Sequence, residues 1–274
     1  MNLINQKYLG AADRKSLLDF QEPDGDYEHI IVFIHGYKGF KDWGAWNLVQ
    51  SYFVGNGIGF CKFNMSHNGG TIENPIDFPD LEAFSINRYT YEVKDILNVL
   101  DWIEQNIDIT NKKIHLFGHS RGGGIATLAA RDYRVASVST LASISDISTR
   151  FPSNEELEKW KKDGVYYVKN ARTNQDMPHK YVFYEDWLEN RLTLNIEANA
   201  KHLKIPALHI HGDKDGTVPI SDSENLSNWT GGALYILNGA DHTFDSYHPY
   251  DKKELPNKLN EAVNLVRLFV LNQG

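Results

Sequence analysis

"HLFGHSRGGGIATLAA" spans residues 115–130 of the chain. The apolar run "KIHLFG" reads as a buried strand, and "GGGIATLAARDY" reads as the helix that follows it. Gly118, Ser120 and Gly122 spell G-x-S-x-G across the junction. A helix that opens on Gly122, Gly123 and Gly124 gives up about 1 kcal/mol per glycine against alanine. Something at that junction therefore requires backbone without side chains. A sharp strand-to-helix turn does: it forces Ser120 into strained backbone and exposes its hydroxyl, with glycines where neighbouring chain passes close. The helix N-terminus adds free N–H donors and a positive dipole end beside the serine, an arrangement that suits an oxyanion.

Working outward, short apolar runs alternate with amphipathic stretches. Strands are expected at His29–His35, Gly57–Phe63, Lys113–Gly118, Val135–Ser143, Ala207–Gly212 and Ala233–Gly239. They are continuous apolar runs bounded by turn residues, as in parallel strands covered on both faces. Between them, Trp46, Val49 and Phe53 form one helical stripe, Val93, Ile96, Leu97, Leu100 and Ile103 a second, and Leu255, Leu259, Ala262, Val266 and Phe269 a third. The 3.6-residue period assigns these stripes to core burial. The alternation predicts an α/β fold with a mostly parallel central sheet and helices on both faces. One interval breaks the rhythm. Residues 145–205 are rich in charge and aromatics and hold no clear buried strand, only a short β-like stretch after an N-cap-like Ser153. They read as a cap inserted into a core made of residues 1–144 and 206–274.

A chain of 274 residues, 41% hydrophobic, can bury one large core. Its net charge of −8, with no basic stripe, excludes a general nucleic-acid binder. No run approaches the ~20 apolar residues of a membrane span, and the first residues lack a basic start and apolar core, so no signal peptide is expected and a cytoplasmic protein is. Cys61 is the single cysteine and reads as a buried small hydrophobe. Cys/His spacing of the zinc kind is absent. Neither a metal nor an organic cofactor is expected.

A serine hydroxyl needs a base, and the base an orienting acid. With this turn the chain order is serine, acid, histidine, each after a strand end. "ALHIHGDKDGTVPI" ends a strand and offers Asp215, with Asp213 as runner-up better suited to capping the turn; Asp146, after an earlier strand, is a distant third. "ALYILNGADHTFDS" offers His242, which can take the serine proton and return it to a leaving group. His248 nearby reads as an exposed loop histidine. Two backbone donors complete the set: the N–H of Arg121, next after the serine, and that of Tyr37 in "HGYKGFKDW" after the first expected strand. His35 reads as a shaper of that loop, His67 as structural within "NMSHNGG", and the Arg121 side chain as half of a salt bridge.

The motifs "FIHGYKG", "FGHSRGG", "HGDKDGTVP" and "GADHTF", in this order, resemble those of the α/β-hydrolase superfamily from about residue 29 to 272. The nearest likeness is to small esterases of the cinnamoyl-esterase type and to the hydrolase domains of prolyl-oligopeptidase-like peptidases. The resemblance implies the α/β-hydrolase fold with an inserted cap, the triad Ser120, Asp215 and His242, and oxyanion donors at Tyr37 and Arg121. Only 28 residues precede the first expected strand, so the propeller of the peptidases is not expected. Haloalkane dehalogenases and epoxide hydrolases of this superfamily carry aspartate at the turn, which Ser120 excludes here.

The expected activity is cleavage of a small-molecule carboxylic ester through an acyl-enzyme. A peptidase or amidase, an acyl transferase, and a non-catalytic ligand receptor on the same fold are the alternatives. Trp160, Tyr166, Tyr167, Tyr181, Phe183, Tyr184 and Trp187 in the insertion either line the substrate pocket or hold the insertion to the core.

Overall fold

The computed structural model describes residues 1–273. In chain order its elements are β1 (Asn2–Leu9), β2 (Lys15–Gln21), β3 (His29–Ile34), α1 (Trp46–Gly55), β4 (Gly59–Phe63), α2 (Leu81–Ser85), α3 (Tyr89–Asn106), β5 (Lys113–His119), α4 (Arg121–Ala129) and β6 (Val135–Leu141). There follow α5 (Asn154–Asp163), β7 (Val165–Asn170), β8 (Gln175–Lys180), α6 (Val182–Glu189), α7 (Ile196–Lys201), β9 (Ala207–Gly212), α8 (Ile220–Thr230), β10 (Ala233–Leu237) and α9 (Asn257–Leu271).

Eight strands form one sheet in the order β1-β2-β4-β3-β5-β6-β9-β10. From β4 to β10 every pairing is parallel. Strands β3, β4 and β9 are buried at every position, because helices cover both faces. Side chains alternate between those faces with the strand period of two. Ile30, Val32 and Ile34 of β3 face Ile96 and Leu100 of α3 and Ile125 of α4 in one core. Ile31 and Phe33 join Val49 and Phe53 of α1 and Leu259 and Val266 of α9 in the other. All six expected strands and all three helical stripes are present, with ends moved by up to two residues. This is the α/β architecture with a mostly parallel central sheet and helices on both faces that the alternation predicts.

The first 21 residues depart from the sequence expectation, which assigned no element before His29. They form an antiparallel hairpin, and β2 continues the sheet by pairing antiparallel with β4. The short apolar run of β2, "SLLDF", is broken by Asp19, whose buried carboxylate meets Lys41 at 2.8 Å and Lys62 at 3.0 Å. Asp42 closes this group, 2.6 Å from Lys41 and also bonded to Lys62. Burial would raise the Asp42 carboxyl, and the two lysines outweigh it and hold the group below the ordinary range.

Residues between β6 and β9 hold α5, the β7–β8 hairpin, α6 and α7. The hairpin is a separate two-stranded sheet. Ser153 occupies the N-cap of α5 without a side-chain cap bond, and Gly164 ends that helix in left-handed backbone at φ 74°. Cys61 is buried, and burial pushes its thiol well above the ordinary range. Among the described residues no helix is long and apolar enough to cross a membrane.

Candidate active site

Ser120 sits between β5 and α4 with φ 55° and ψ −124°, a conformation that an L-residue adopts only under constraint. Its N–H donates to the carbonyl of Leu141 at 2.8 Å, which fixes the turn against β6. The flanking glycines are explained by contact. A Cβ on Gly118 would lie 2.3 Å from the carbonyl oxygen of Gly122. One on Gly122 would lie 2.4 and 2.5 Å from the carbonyl oxygens of Ile34 and His35. Both sets of obstructing atoms are backbone and cannot swing aside.

Asp215 follows β9 and His242 follows β10, so all three residues stand beyond the carboxyl ends of parallel strands. His242 Nδ1 is 2.8 Å from Asp215 Oδ2, and His242 Nε2 is 3.0 Å from Ser120 Oγ. A carboxylate only accepts, so Nδ1 carries the proton and Nε2 is left to accept from the serine hydroxyl. The Asp215 side chain is fully buried while that of His242 is partly open. Burial alone would raise the Asp215 carboxyl. Hydrogen bonds from His211, His242 and the Val218 N–H outweigh it and hold the group well below the usual carboxylate range. Its Oδ1 accepts from the N–H groups of Thr217 and Val218 at 2.7 and 2.9 Å.

Two histidines outside the sequence-stated candidates support this arrangement. His211 Nε2 lies 3.1 Å from Asp215 Oδ2 and 3.0 Å from the Val218 carbonyl, and its Nδ1 meets Ser223 Oγ at 2.7 Å. His119 Nε2 donates to the His242 carbonyl at 2.9 Å. Burial, then the neighbouring His242, lowers the His119 ring to about 3, so it stays neutral and acts as a fixed donor. The sequence signal for His211 was a histidine inside a strand covered on both faces, four positions before Asp215.

Tyr37 lies in the loop after β3, and Gly36 beside it approaches Ser120 so closely that a Cβ there would sit 3.1 Å from the serine Cβ. The N–H groups of Tyr37 and Arg121 serve no turn or cap bond among the described residues. The Tyr37 hydroxyl reaches His179 Nε2 on β8 at 2.7 Å. The Arg121 guanidinium is mostly covered, 3.3 Å from Glu92 and 4.1 Å from the Tyr37 ring centre, which is the salt bridge expected of it joined to a cation–π contact. His35 Nδ1 donates to the Gly36 carbonyl at 2.9 Å and its Nε2 accepts from the Met65 N–H at 3.1 Å. Burial depresses its ring to about 4, so His35 shapes the loop as a neutral side chain.

The competing residues fall elsewhere. Asp213, expected to cap its own turn, instead accepts from the Gly239 N–H at 2.6 Å and ties that turn to the loop after β10, while Asp215 caps the turn after β9. Asp146 is exposed and holds Ser148 in a local turn. His67 is bonded to Ser66 and packed on Tyr91. His248, expected to be an exposed loop histidine, is half-buried: its Nδ1 accepts from the Gly44 N–H at 3.0 Å, and the Phe40 ring meets it edge-on.

A cavity of about 250 Å³ opens at Ser120 and His242. Trp43, Trp46 and His119 form one part of its wall, and the turn of the β7–β8 hairpin supplies Asn170, Ala171 and Arg172. None of the seven aromatics singled out in the insertion lines it. Trp160, Tyr166 and Phe183 instead line a neighbouring cavity of about 350 Å³ beside Tyr37 and Arg121. Tyr181, Tyr184 and Trp187 pack together around Phe151 and Trp160, and Tyr167 is exposed. Among the described residues no group of three His, Cys, Asp or Glu side chains is placed to hold a metal ion.

A family model described as the alpha/beta hydrolase fold matches residues 30–175. A lysophosphatidylserine lipase of Danio rerio is 24% identical over 198 residues, 72% of this chain and 46% of that protein. An uncharacterized peptidase of Bacillus subtilis is 24% identical over 212 residues, 76% of this chain and 71% of that protein. The chain spans less than half the length of the first curated relatives it matches. Among solved structures, Est1E from Butyrivibrio proteoclasticus with ferulic acid bound superposes with a TM-score of 0.73 at 19% identity, over 97% of this chain and 98% of that one.

Proposed function

Because the chain belongs to the alpha/beta hydrolase family, we propose that it is a serine hydrolase that cleaves carboxylic esters through an acyl-enzyme. The observation that carries this reading is the unbroken hydrogen-bonded line from Ser120 Oγ to His242 to Asp215. Ser120 attacks the ester carbonyl as His242 takes its proton. Asp215 holds the imidazole in the tautomer this requires and stabilises the imidazolium. The N–H groups of Tyr37 and Arg121 receive the negative charge that forms on the carbonyl oxygen, a contribution of about 2.7–4 kcal/mol per donor. His242 then protonates the departing alcohol. In the second half it activates a water that releases the acid and frees Ser120.

In this reading residues 145–205 act as a cap, since their hairpin turn walls the Ser120 cavity. The ester reading draws support from the lipase relative and from the carboxylic acid bound in the Est1E structure. The peptidase relative keeps amides in the test.

The test is labelling with a fluorophosphonate, with the adduct located by mass spectrometry, beside matched aryl esters and aryl amides. A single adduct on Ser120, lost in His242→Ala, together with faster turnover of esters, is the expected result. Folded protein that takes no label and turns over no ester would overturn the reading and favour a ligand receptor. Amides turned over faster than esters would replace it with a peptidase or amidase.

A further inference from the structure

The chain carries a net charge of −8, yet the cavity at Ser120 is lined by Lys38 and Arg172 and by no aspartate or glutamate. The two cations come from separate parts of the chain, Lys38 from the loop after β3 and Arg172 from the β7–β8 turn. Both are held in place. Lys38 stands in left-handed backbone at φ 56°. Its ammonium donates to the Lys169 carbonyl at 3.0 Å and lies 5.2 Å from the Tyr37 ring centre. A carbonyl satisfies one donor and leaves the charge uncompensated. The Arg172 guanidinium rests 5.3 Å from the ring centres of both Phe40 and Phe78. It donates to the Ile76 carbonyl and pairs with Asp77 at 3.1 Å. The Asp77 side chain is largely in solvent, 62% exposed, so it offsets Arg172 weakly.

We propose that Lys38 and Arg172 read a carboxylate on the substrate, so that the preferred esters carry one negative charge on the acyl or alcohol part. The proposal rests on the reading of Ser120 as an ester hydrolase. One fully uncompensated cation and one partly compensated cation match a single negative charge better than the double charge of a phosphate monoester. Fixed donors bind an anion without the ordering cost of mobile side chains. Burial, then the neighbouring Arg121 guanidinium, depresses the Lys38 ammonium, and a bound carboxylate would relieve the repulsion.

Two matched pairs test this. 4-Nitrophenyl hydrogen adipate against 4-nitrophenyl hexanoate places the charge on the acyl part. 4-(Carboxymethyl)phenyl hexanoate against 4-methylphenyl hexanoate places it on the alcohol part. At low ionic strength kcat/KM is expected to favour the charged member of at least one pair by about two- to fivefold, the scale of a partly exposed charge pair. Salt at about 0.5 M should narrow the ratio. Lys38→Met and Arg172→Met should each lower it, and Lys38→Arg should retain it. If both pairs favour the neutral ester or show no preference, while Ser120 takes the fluorophosphonate and hexanoate esters turn over, this inference fails and the hydrolase reading stands. If Ser120 takes no label and no ester turns over, both fall.

Discussion

The Tyr37 hydroxyl and His179 Nε2 meet at 2.7 Å across 142 positions of sequence, joining the loop beside Ser120 to the hairpin of the insertion. Burial, then the charges of Arg121 and Lys38, lowers the His179 ring to about 3, so this is a bond between neutral groups. His179 Nδ1 already has no partner among the described residues. Tyr37→Phe would orphan the second ring nitrogen and should cost about 1–3 kcal/mol, read as a fall in the urea midpoint. The backbone N–H of residue 37 stays, so the loss in kcat should remain below about tenfold. A loss nearer the hundred- to thousandfold scale of a missing oxyanion donor would mean that the hydroxyl itself serves the reaction.

Ser120 carries strain that a side chain makes worse. Ser120→Ala keeps a Cβ at φ 55° and ψ −124°, whereas Ser120→Gly does not. The glycine variant should be the more stable of the two by about 1 kcal/mol, even after its larger unfolded-state entropy is counted. Chemical denaturation of both proteins measures this, and equal midpoints would show the turn to be relaxed. Both variants should lose turnover by roughly a millionfold, the scale known from another serine hydrolase.

Asp215→Asn should reduce kcat by about 10⁴-fold, as the same change does in a well-studied triad. It should also alter the pH dependence of stability. The Asp215 carboxyl is held below its unfolded value, so its contribution to stability is fully present above the unfolded pKa of about 3.9 and is lost as pH falls through the folded value. The stability gap between wild type and Asp215→Asn should therefore be constant from neutral pH down to about 5 and shrink in stronger acid. A gap that widens on acidification would contradict the direction of the shift.

Lys62 is completely buried among Asp19, Asp42 and Asn47. Lys62→Met would leave two carboxylates with one ammonium, and breaking a buried pair from one side costs about 3–5 kcal/mol. Lys258→Met, which removes an exposed pair with Glu261, should stay within about 0.5 kcal/mol. Equal effects in the two variants would show the buried group to be hydrated.

The parallel strands and the turn at Ser120 were legible because their causes are local: runs of apolar residues, and glycines where backbone meets backbone. The order of Ser120, Asp215 and His242 along the chain was legible for the same reason, since each follows a strand end. The β1–β2 hairpin was not. Most β1 side chains are exposed, and β2 hides an aspartate whose partners lie more than twenty positions away at Lys41 and Lys62. Arg172 and Asn170 were missed as cavity residues because the hairpin that carries them contains Pro178 and charged side chains, and only its folded turn brings them to Ser120. The insertion's aromatics drew attention through size, yet three line a neighbouring cavity, three pack on one another around Phe151 and Trp160, and Tyr167 is exposed.

The wall of the Ser120 cavity is divided between two separately anchored parts of the chain, with Ser120 and His242 beyond strand ends and one flank on a two-stranded hairpin. On the proposed hydrolase reading, exchanging a segment of sixteen residues, Val165–Lys180, should change substrate range while the Ser120–His242–Asp215 hydrogen bonds stay in place. Such a graft must still meet the core where the hairpin now does, with an imidazole for Tyr37, a carbonyl for Lys38 and a partner for the Phe78 carbonyl.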